Sequence, residues 1–398
     1  MNLLNSLGIN AEKIKLFIST GLQGFYKLLI LFFFEIKYGL TKAGEFGIHL
    51  SVSQIICTFT VIGFCSLILS RISSENINKK KYELFYGLVF NILICLAISL
   101  ILIHLFNKFF QIIFFLEISF WLFSWTIYFT SRHFFLAERK FNIIIITDSI
   151  LIFLSILIIT SNYFLNVSII LSIVMILVSF LNFLIIGNFS FIRMNQFKIE
   201  TKGFLFGGAQ FLSSSFILLL IPVSVFFLNS EEVGIIAIFV NLISASIIIS
   251  RTVSLYLITD FSKNKLNKFL IKKKIKSIQN KITLYSFFIF LINLVILKFI
   301  ISFYEIINFE LTLSLFFISL YFLANNFTIL YSSLIIINEQ AKENFLIHII
   351  LFIIFIIFIY FSYFYLNNYN FLLICFVLSS IGFLRFIKIK RIYNEKTF

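Results

Sequence analysis

Apolar runs recur from residue 16 to residue 387, broken only by short polar stretches. A helix needs roughly 20 apolar residues to cross a bilayer. The pattern predicts twelve such helices, over 16–36, 46–70, 84–106, 109–131, 143–162, 167–189, 204–228, 234–258, 282–304, 311–337, 345–366 and 370–387. Runs this long and uniformly apolar lack the residue-by-residue alternation of a membrane barrel. The fold class is therefore an all-α integral membrane protein with about 12 transmembrane helices. The first run carries Lys27 and has no small-residue cleavage site behind it, so it reads as a retained span rather than a signal peptide.

The basic residues of the connections alternate. One set of loops holds Lys13 and Lys15, then Arg71 with Lys79, Lys80 and Lys81, then Arg132, Arg139 and Lys140, then Arg193, Lys198 and Lys202. Eight lysines follow between Lys263 and Lys281, then Lys342, and finally Lys388, Lys390, Arg391 and Lys396. The alternate loops hold only Lys37, Lys42 and Lys108. Positive residues are retained in the cytoplasm, so both termini are cytoplasmic. The outer loops are short, the longest being roughly 37–45, which leaves no outside domain to carry chemistry and argues against an enzyme. In 263–281, Ile271, Ile275, Ile278 and Ile282 share a helical stripe with lysines off it, a pattern that suits either an interfacial helix on anionic lipid or a topology signal alone.

Composition fits this frame. Hydrophobic residues are 61% and charged residues 12% of 398, against about 25% charged in soluble proteins. The formal net charge of +15 sits in the short loops, so it points to membrane topology and lipid headgroups, not to nucleic acid. Cys57, Cys65, Cys95 and Cys375 all lie within apolar runs and read as small buried hydrophobes.

The chain shows an internal repeat. Gly21-Leu22-Gln23-Gly24-Phe25 in the first span parallels Gly207-Gly208-Ala209-Gln210-Phe211 in the seventh, and Glu45-Phe46-Gly47 parallels Glu232-Val233-Gly234 at the same offset. Ala137-Glu138-Arg139-Lys140-Phe141 also parallels Ala341-Lys342-Glu343-Asn344-Phe345. Two lobes of six helices, 1–195 and 196–398, follow as a parallel repeat with a site expected at their interface near the midplane.

A charge at membrane depth costs about 2.5–3.5 kcal/mol and normally faces a cavity or a partner. Lys27, Glu117, Asp148 and Arg251 stand well inside predicted spans. By three- and four-residue steps, Thr20, Gln23, Gly24 and Lys27 share a face, as do His49, Ser53, Cys57 and Thr60, then Gly203, Gly207, Gln210 and Ser214, then Asn241, Ser244 and Arg251. Lys27, Arg251, Gln23, Gln210, Asn241 and His49 are the candidate substrate-binding residues. Helix packing and interhelical hydrogen bonding are the alternative for the small residues and the amides. Glu117 and Asp148 are candidates for ion coupling, with a pair to Arg132 or Arg139 as the alternative for Asp148. Spans 3, 6, 9 and 12 look nearly plain, and Pro222 is expected to kink span 7. No phosphate-cradling Gly-x-x-x-x-Gly-Lys-Ser/Thr loop occurs, and the histidines form no metal spacing. No cofactor or metal is implied.

The opening Gly-x-x-x-Phe span is followed by Tyr38-Gly39-Leu40-Thr41-Lys42-Ala43-Gly44-Glu45-Phe46-Gly47, then by a polar second span with Ile62-Gly63-Phe64 and Ser70-Arg71. This resembles the start of the Wzx-type polysaccharide repeat-unit flippases of the multidrug/oligosaccharidyl-lipid/polysaccharide exporter superfamily. The resemblance implies a V-shaped pair of six-helix lobes around a cationic cavity, in a multi-pass protein of the bacterial inner membrane. The implied cargo is an oligosaccharide linked to undecaprenyl diphosphate, moved to the outer leaflet for O-antigen, lipopolysaccharide or capsule assembly. A polysaccharide polymerase and a chain-length regulator are implied partners. Related lipid-linked peptidoglycan-precursor flippases carry basic residues on spans 1, 2 and 8. Lys27 and Arg251 match on spans 1 and 8, while span 2 offers only His49 at depth and Arg71 at its cytoplasmic end. The rivals are an ion-coupled drug or metabolite antiporter of the same fold and a membrane polysaccharide polymerase.

Overall fold

The computed structural model describes residues 11–110, 115–161, 166–187, 198–244, 247, 250–255, 268–304, 307–337, 341–365 and 370–396. Helices account for nearly all of them. They are α1 (Ala11–Tyr38), α2 (Leu40–Ile72), α3 (Asn78–Phe110), α4 (Phe115–Ala137), α5 (Phe141–Thr160) and α6 (Val167–Ile186), then α7 (Thr201–Ser224), α8 (Ser230–Ser244), α9 (Lys268–Phe303), α10 (Phe309–Ile337), α11 (Ala341–Tyr365) and α12 (Asn370–Lys396). Residues 250–255 are helical again. Ten of the twelve are long and apolar enough to span a membrane; α4 and the described part of α8 are not. Large apolar side chains face outward, as Leu284, Phe299 and Ile357 do at 73%, 72% and 61% exposure. In water such a surface would aggregate; in lipid it is the solvated face.

Three sequence expectations change. The outer connection expected over 37–45 is Gly39 alone, whose φ of 85° lets α1 pass directly into α2. The fourth helix begins at Phe115, not near 109. The lysine-rich stretch is no separate interfacial helix from residue 268 onward. No Gly or Pro interrupts Lys268–Phe303, so the stretch fuses with the span into one 36-residue helix, about 54 Å long and far longer than the roughly 30 Å hydrocarbon core. Residues 263–267 of that stretch lie outside the described residues.

Two buried apolar cores organise the helices. One gathers Tyr26, Phe46, Trp121, Trp125, Leu171 and their neighbours from α1–α6; the other gathers Phe216, Ile236, Leu315, Phe355, Leu378 and theirs from α7–α12. The cores meet along α2, whose most apolar stretch is 72% buried where that of the lipid-facing α11 is 22% buried. The meeting is made by small residues. A Cβ built on Gly47 of α2 would stand 2.6 Å from Ala237 Cβ of α8, and one on Gly44 would stand 3.1 Å from Gly234 N. Toward the other end, Gly63 abuts the backbone of Gly203 and Gly207 in α7, and a Cβ on Gly207 would stand 2.6 Å from Phe59 O. With no side chains between them, the backbones approach closely, the usual route to strong packing in lipid. Two π-helical turns in α2, Thr58–Ile62 and Ile68–Ile72, fall in the same half. In α7 the regular helix breaks at Leu219, three residues before Pro222, which has no N–H to offer the preceding turn.

The chain entering α7 is tied back to α2 and α3. Arg71 Nη1 donates to Glu200 Oε2 at 2.8 Å, while Asn91 Nδ2 donates to Lys198 O and Asn91 Oδ1 accepts from Glu200 N. The hydrogen bond from Arg71 holds the Glu200 carboxyl below its ordinary value of 4.5.

Two expectations follow. Gly63→Ala drives a methyl group into the α7 backbone and should cost about 1–3 kcal/mol, read as a lowered unfolding midpoint in detergent. For Glu200 the depressed pKa means that its contribution is present above the unfolded-state value and fades as pH falls through the folded-state value. The pair is partly exposed, so Glu200→Gln should cost no more than about 1 kcal/mol at pH 7. The difference from the unaltered protein should shrink as the pH falls below the ordinary glutamate value and vanish only below the lowered folded-state value.

Candidate functional site

A cavity of about 340 Å³ lies between the two cores, within the roughly 300–1,000 Å³ of typical ligand pockets. Its lining on α2 runs from Gln54 through Thr58, Ile62 and Ser66 to Leu69, the half of that helix nearer Arg71 and the lysine-rich side. α1 supplies Gln23 and Lys27, one turn apart, and α4 supplies Phe129 and His133. From the other side come Gln210 and Ser213 of α7, Asn241 and Ser244 of α8, Arg251 and Ser254, Tyr321 and Asn325 of α10, and Arg385 of α12. The outer end is shut by the Gly44 and Gly47 contacts with α8 and by the Tyr304 hydroxyl, which donates to Glu35 Oε1 across the two cores.

Five of the six candidate binding residues thus line one cavity: Gln23, Lys27, Gln210, Asn241 and Arg251. The sixth, His49, is buried but does not line it. Five residues before Gln54, it is turned about 140° away around a helix of 3.6 residues per turn and sits in the outer half of α2. Arg71 is also outside, engaged with Glu200.

The two carboxylates expected at depth are engaged elsewhere. Glu117 is in the first turn of α4 and accepts from Asn166 Nδ2 at 3.0 Å, while Asn166 caps α6. Asp148 accepts from Tyr128 Oη at 2.8 Å and Arg132 Nε at 3.4 Å. Arg132 also donates from Nη1 to Gln23 Oε1 at 3.1 Å and from Nη2 to Ser19 O. Of the two arginines weighed as partners for Asp148, the structure selects Arg132; Arg139 reaches Glu12 instead.

The cavity therefore holds the cations Lys27, Arg251 and Arg385, and no aspartate or glutamate among its described lining residues. Lys27 Nζ donates to Gln54 Oε1 at 2.8 Å and stands 5.0 Å from the centroid of the Trp125 ring, so its local partners are neutral. Lys27, Arg251 and Arg385 line the same cavity, and Arg132 stands just behind it through Gln23. Like charges gathered in a low-dielectric cleft repel each other, and an anion between them would relieve that repulsion.

Sequence reasoning missed Gln54, His133 and Arg385. Span 12 is not plain: Arg385 sits inside Phe383-Leu384-Arg385-Phe386-Ile387, three residues before the lysines of the cytoplasmic end. An isolated arginine flanked by apolar residues on both sides was the signal. Gln54 follows His49 and Ser53 in a polar span, and its phase relative to them was the only clue. No cluster of metal-ligating residues occurs among the described residues.

No family model matches the sequence, and no curated protein does. The fold does have solved counterparts. The MATE multidrug transporter DinF-BH, solved as a complex, aligns at 14% identity over 100% of this chain and 96% of its own, with a TM-score of 0.72. The Vibrio cholerae MATE transporter VcmN in its bent form aligns at 13% identity over 96% and 97%, with a TM-score of 0.59. A MOP superfamily transporter from Pyrococcus furiosus, described as having a binding pocket of reverse polarity that suggests a different function, aligns at 14% identity over 95% of each chain, with a TM-score of 0.53. The chain has the multi-pass helical fold of the MATE transporters of the MOP superfamily.

Proposed function

We propose that this protein is a flippase of the bacterial inner membrane, carrying undecaprenyl-diphosphate-linked oligosaccharide repeat units from the cytoplasmic to the outer leaflet. One observation carries the reading: the cavity between the lobes is lined by Lys27, Arg251 and Arg385 with amides and hydroxyls, and by no carboxylate among its described residues. A diphosphate is the part of such a lipid that most needs positive charge in a low-dielectric site. A single pair of unit charges about 4 Å apart contributes about 4 kcal/mol at an effective dielectric of about 20. Lys27 and Arg251 would hold the diphosphate. Gln23, Gln210 and Asn241 would supply hydrogen bonds to it or to the first sugar, since amides offer both donors and acceptors. The cavity is closed at its outer end, as a cytoplasm-facing or occluded step of alternating access requires. The isoprenoid tail would stay in the bilayer, which the exposed apolar faces of α9 and α11 already meet.

An ion-coupled drug or metabolite antiporter is the second reading, favoured by the likeness of fold to DinF-BH and VcmN. It depends on membrane carboxylates more than on cations. Asp148 is the carboxylate in question, and its two oxygens are occupied by Tyr128 and Arg132.

The two readings separate in the parent organism. With the gene deleted, complete lipid-linked sugar units should accumulate on the cytoplasmic leaflet and surface polysaccharide should fall. Leaflet is read with a membrane-impermeant sugar-modifying probe on spheroplasts. Complementation by Lys27→Ala or Arg251→Ala at equal expression should restore about tenfold less polysaccharide than the unaltered gene, the effect of losing one charge-assisted contact. Normal polysaccharide from both variants would overturn the diphosphate assignment. Drug efflux abolished by Asp148→Asn, with Lys27→Ala silent, would establish the antiporter instead. Because Asp148 neutralises a buried arginine, Asp148→Asn should also destabilise the protein by about 3–5 kcal/mol, so expression must be matched.

A further inference from the structure

The cations of the cavity differ in how much of their hydrogen-bonding capacity the protein uses. Arg132, just behind the lining, directs its guanidinium to Asp148, Gln23 and Ser19. Lys27 directs one donor to Gln54. Arg385, on the opposite wall, is 7% exposed, and its Nη1 donates to Asn325 Oδ1 at 3.0 Å. The Nε of Arg385 is buried with no hydrogen-bond partner among the described residues.

The local fold explains how an arginine comes to stand there. α12 lies so close to α10 at Gly382 that a Cβ would be 3.0 Å from the Tyr321 ring and 3.2 Å from Ala324 Cβ. One turn further along, that contact delivers Arg385 beside Asn325, and both line the cavity. Counted along the helices at about 1.5 Å per residue, Arg385 lies about 23 Å from the outer end of α12 and Lys27 about 17 Å from that of α1. Lys27 therefore sits near the middle of a roughly 30 Å core and Arg385 in its cytoplasmic third, one on each lobe. A buried guanidinium with an unused donor is expensive in a dry interior and is satisfied by an anion entering the cavity.

We propose that Arg385, oriented by Asn325, is the second lobe's anchor for the anionic group of the substrate, so that one bound diphosphate is held from both lobes at once, by Lys27 on one side and Arg385 on the other. This rests on the diphosphate reading of the cavity. It adds a binding residue on α12, and it gives substrate binding a direct hold on both lobes, since an anion shared between them pulls the two walls together.

The test uses the full-length protein in nanodiscs with farnesyl diphosphate as probe and farnesol as the uncharged control. Trp121 and Trp125 are the chain's two tryptophans, and Trp125 lies against Lys27, so intrinsic fluorescence reports occupancy. The unaltered protein should bind farnesyl diphosphate and respond far less to farnesol. Arg385→Gln and Lys27→Gln should each weaken binding roughly ten- to hundredfold, the strength of a charge-assisted hydrogen bond, and Arg385→Lys should recover most of the loss. Asn325→Asp is nearly isosteric and places a carboxylate against the guanidinium, so it should lower affinity by about tenfold or more without removing any contact of the fold. Farnesyl diphosphate affinity unchanged in both Arg385→Gln and Asn325→Asp, with Lys27→Gln weakened, would overturn the role of Arg385 and leave the cavity reading standing. Equal responses to farnesyl diphosphate and farnesol in the unaltered protein would overturn both.

Discussion

Positive charge at membrane depth must be solvated by something, and the way this chain distributes that task determines where its site is. Arg132 is solvated by protein: a carboxylate, an amide and a carbonyl take up its donors. That closed set ties α4 to α1 and α5. Lys27, one turn from Gln23 on the same helix, has an amide and an aromatic face but no carboxylate. Arg385 has an amide on Nη1 and, among the described residues, nothing on Nε. Along this series the protein supplies less of the solvation itself, and in the proposed function the diphosphate would supply the remainder.

This arrangement works only if the lobes are held at a fixed spacing that leaves a cleft without letting it flood from outside. The glycine contacts of α2 supply that spacing. Gly44 and Gly47 meet α8 on the outer side, and Gly63 meets α7 on the inner side, with the cavity-lining residues from Gln54 to Leu69 starting between the two contacts. The exchange of partners along α2 makes it the helix that belongs to both lobes, which is why it is the most buried of the ten apolar spans.

Much of this was legible in the residues. The apolar runs yielded all twelve helices, since hydropathy reports the lipid directly. The polar stripes on spans 1, 7 and 8 converged on one cavity because polarity that faces a cleft recurs with helical period. What failed was phase and neighbourhood. His49 and Gln54 are both polar and five residues apart, and only the packing of α2 against α7 and α8 decides which of them faces inward. Arg385 was hidden by its nearness to Lys388 and Lys390, where one more basic residue resembles a topology signal. The partners Asn166 of Glu117 and Tyr128 of Asp148 lie 49 and 20 residues away, beyond any local pattern, whereas the pair of Asp148 with Arg132 was one of the two the sequence offered. The loop expected over 37–45 vanished because a single glycine with positive φ reverses the chain.

The fourth helix falls short of an apolar span and looks at first like a weak point in a membrane assignment, and its burial shows the opposite. α4 carries Glu117, Arg132 and His133 along with serines, threonines and both tryptophans, and nearly every residue from Trp121 to Ala137 is buried. α8 is buried continuously from Glu232 to Val240. α4, like α8, meets lipid over little of its surface, so α4 needs no lipid-compatible composition. In a membrane protein, hydropathy measures a helix's outward face, and a helix enclosed by others is free to be polar. The shortfall of α4 therefore marks it as an inner helix, and it contributes Phe129 and His133 to the cavity. Where the apolar signal weakens within such a chain, the sequence is pointing at the site.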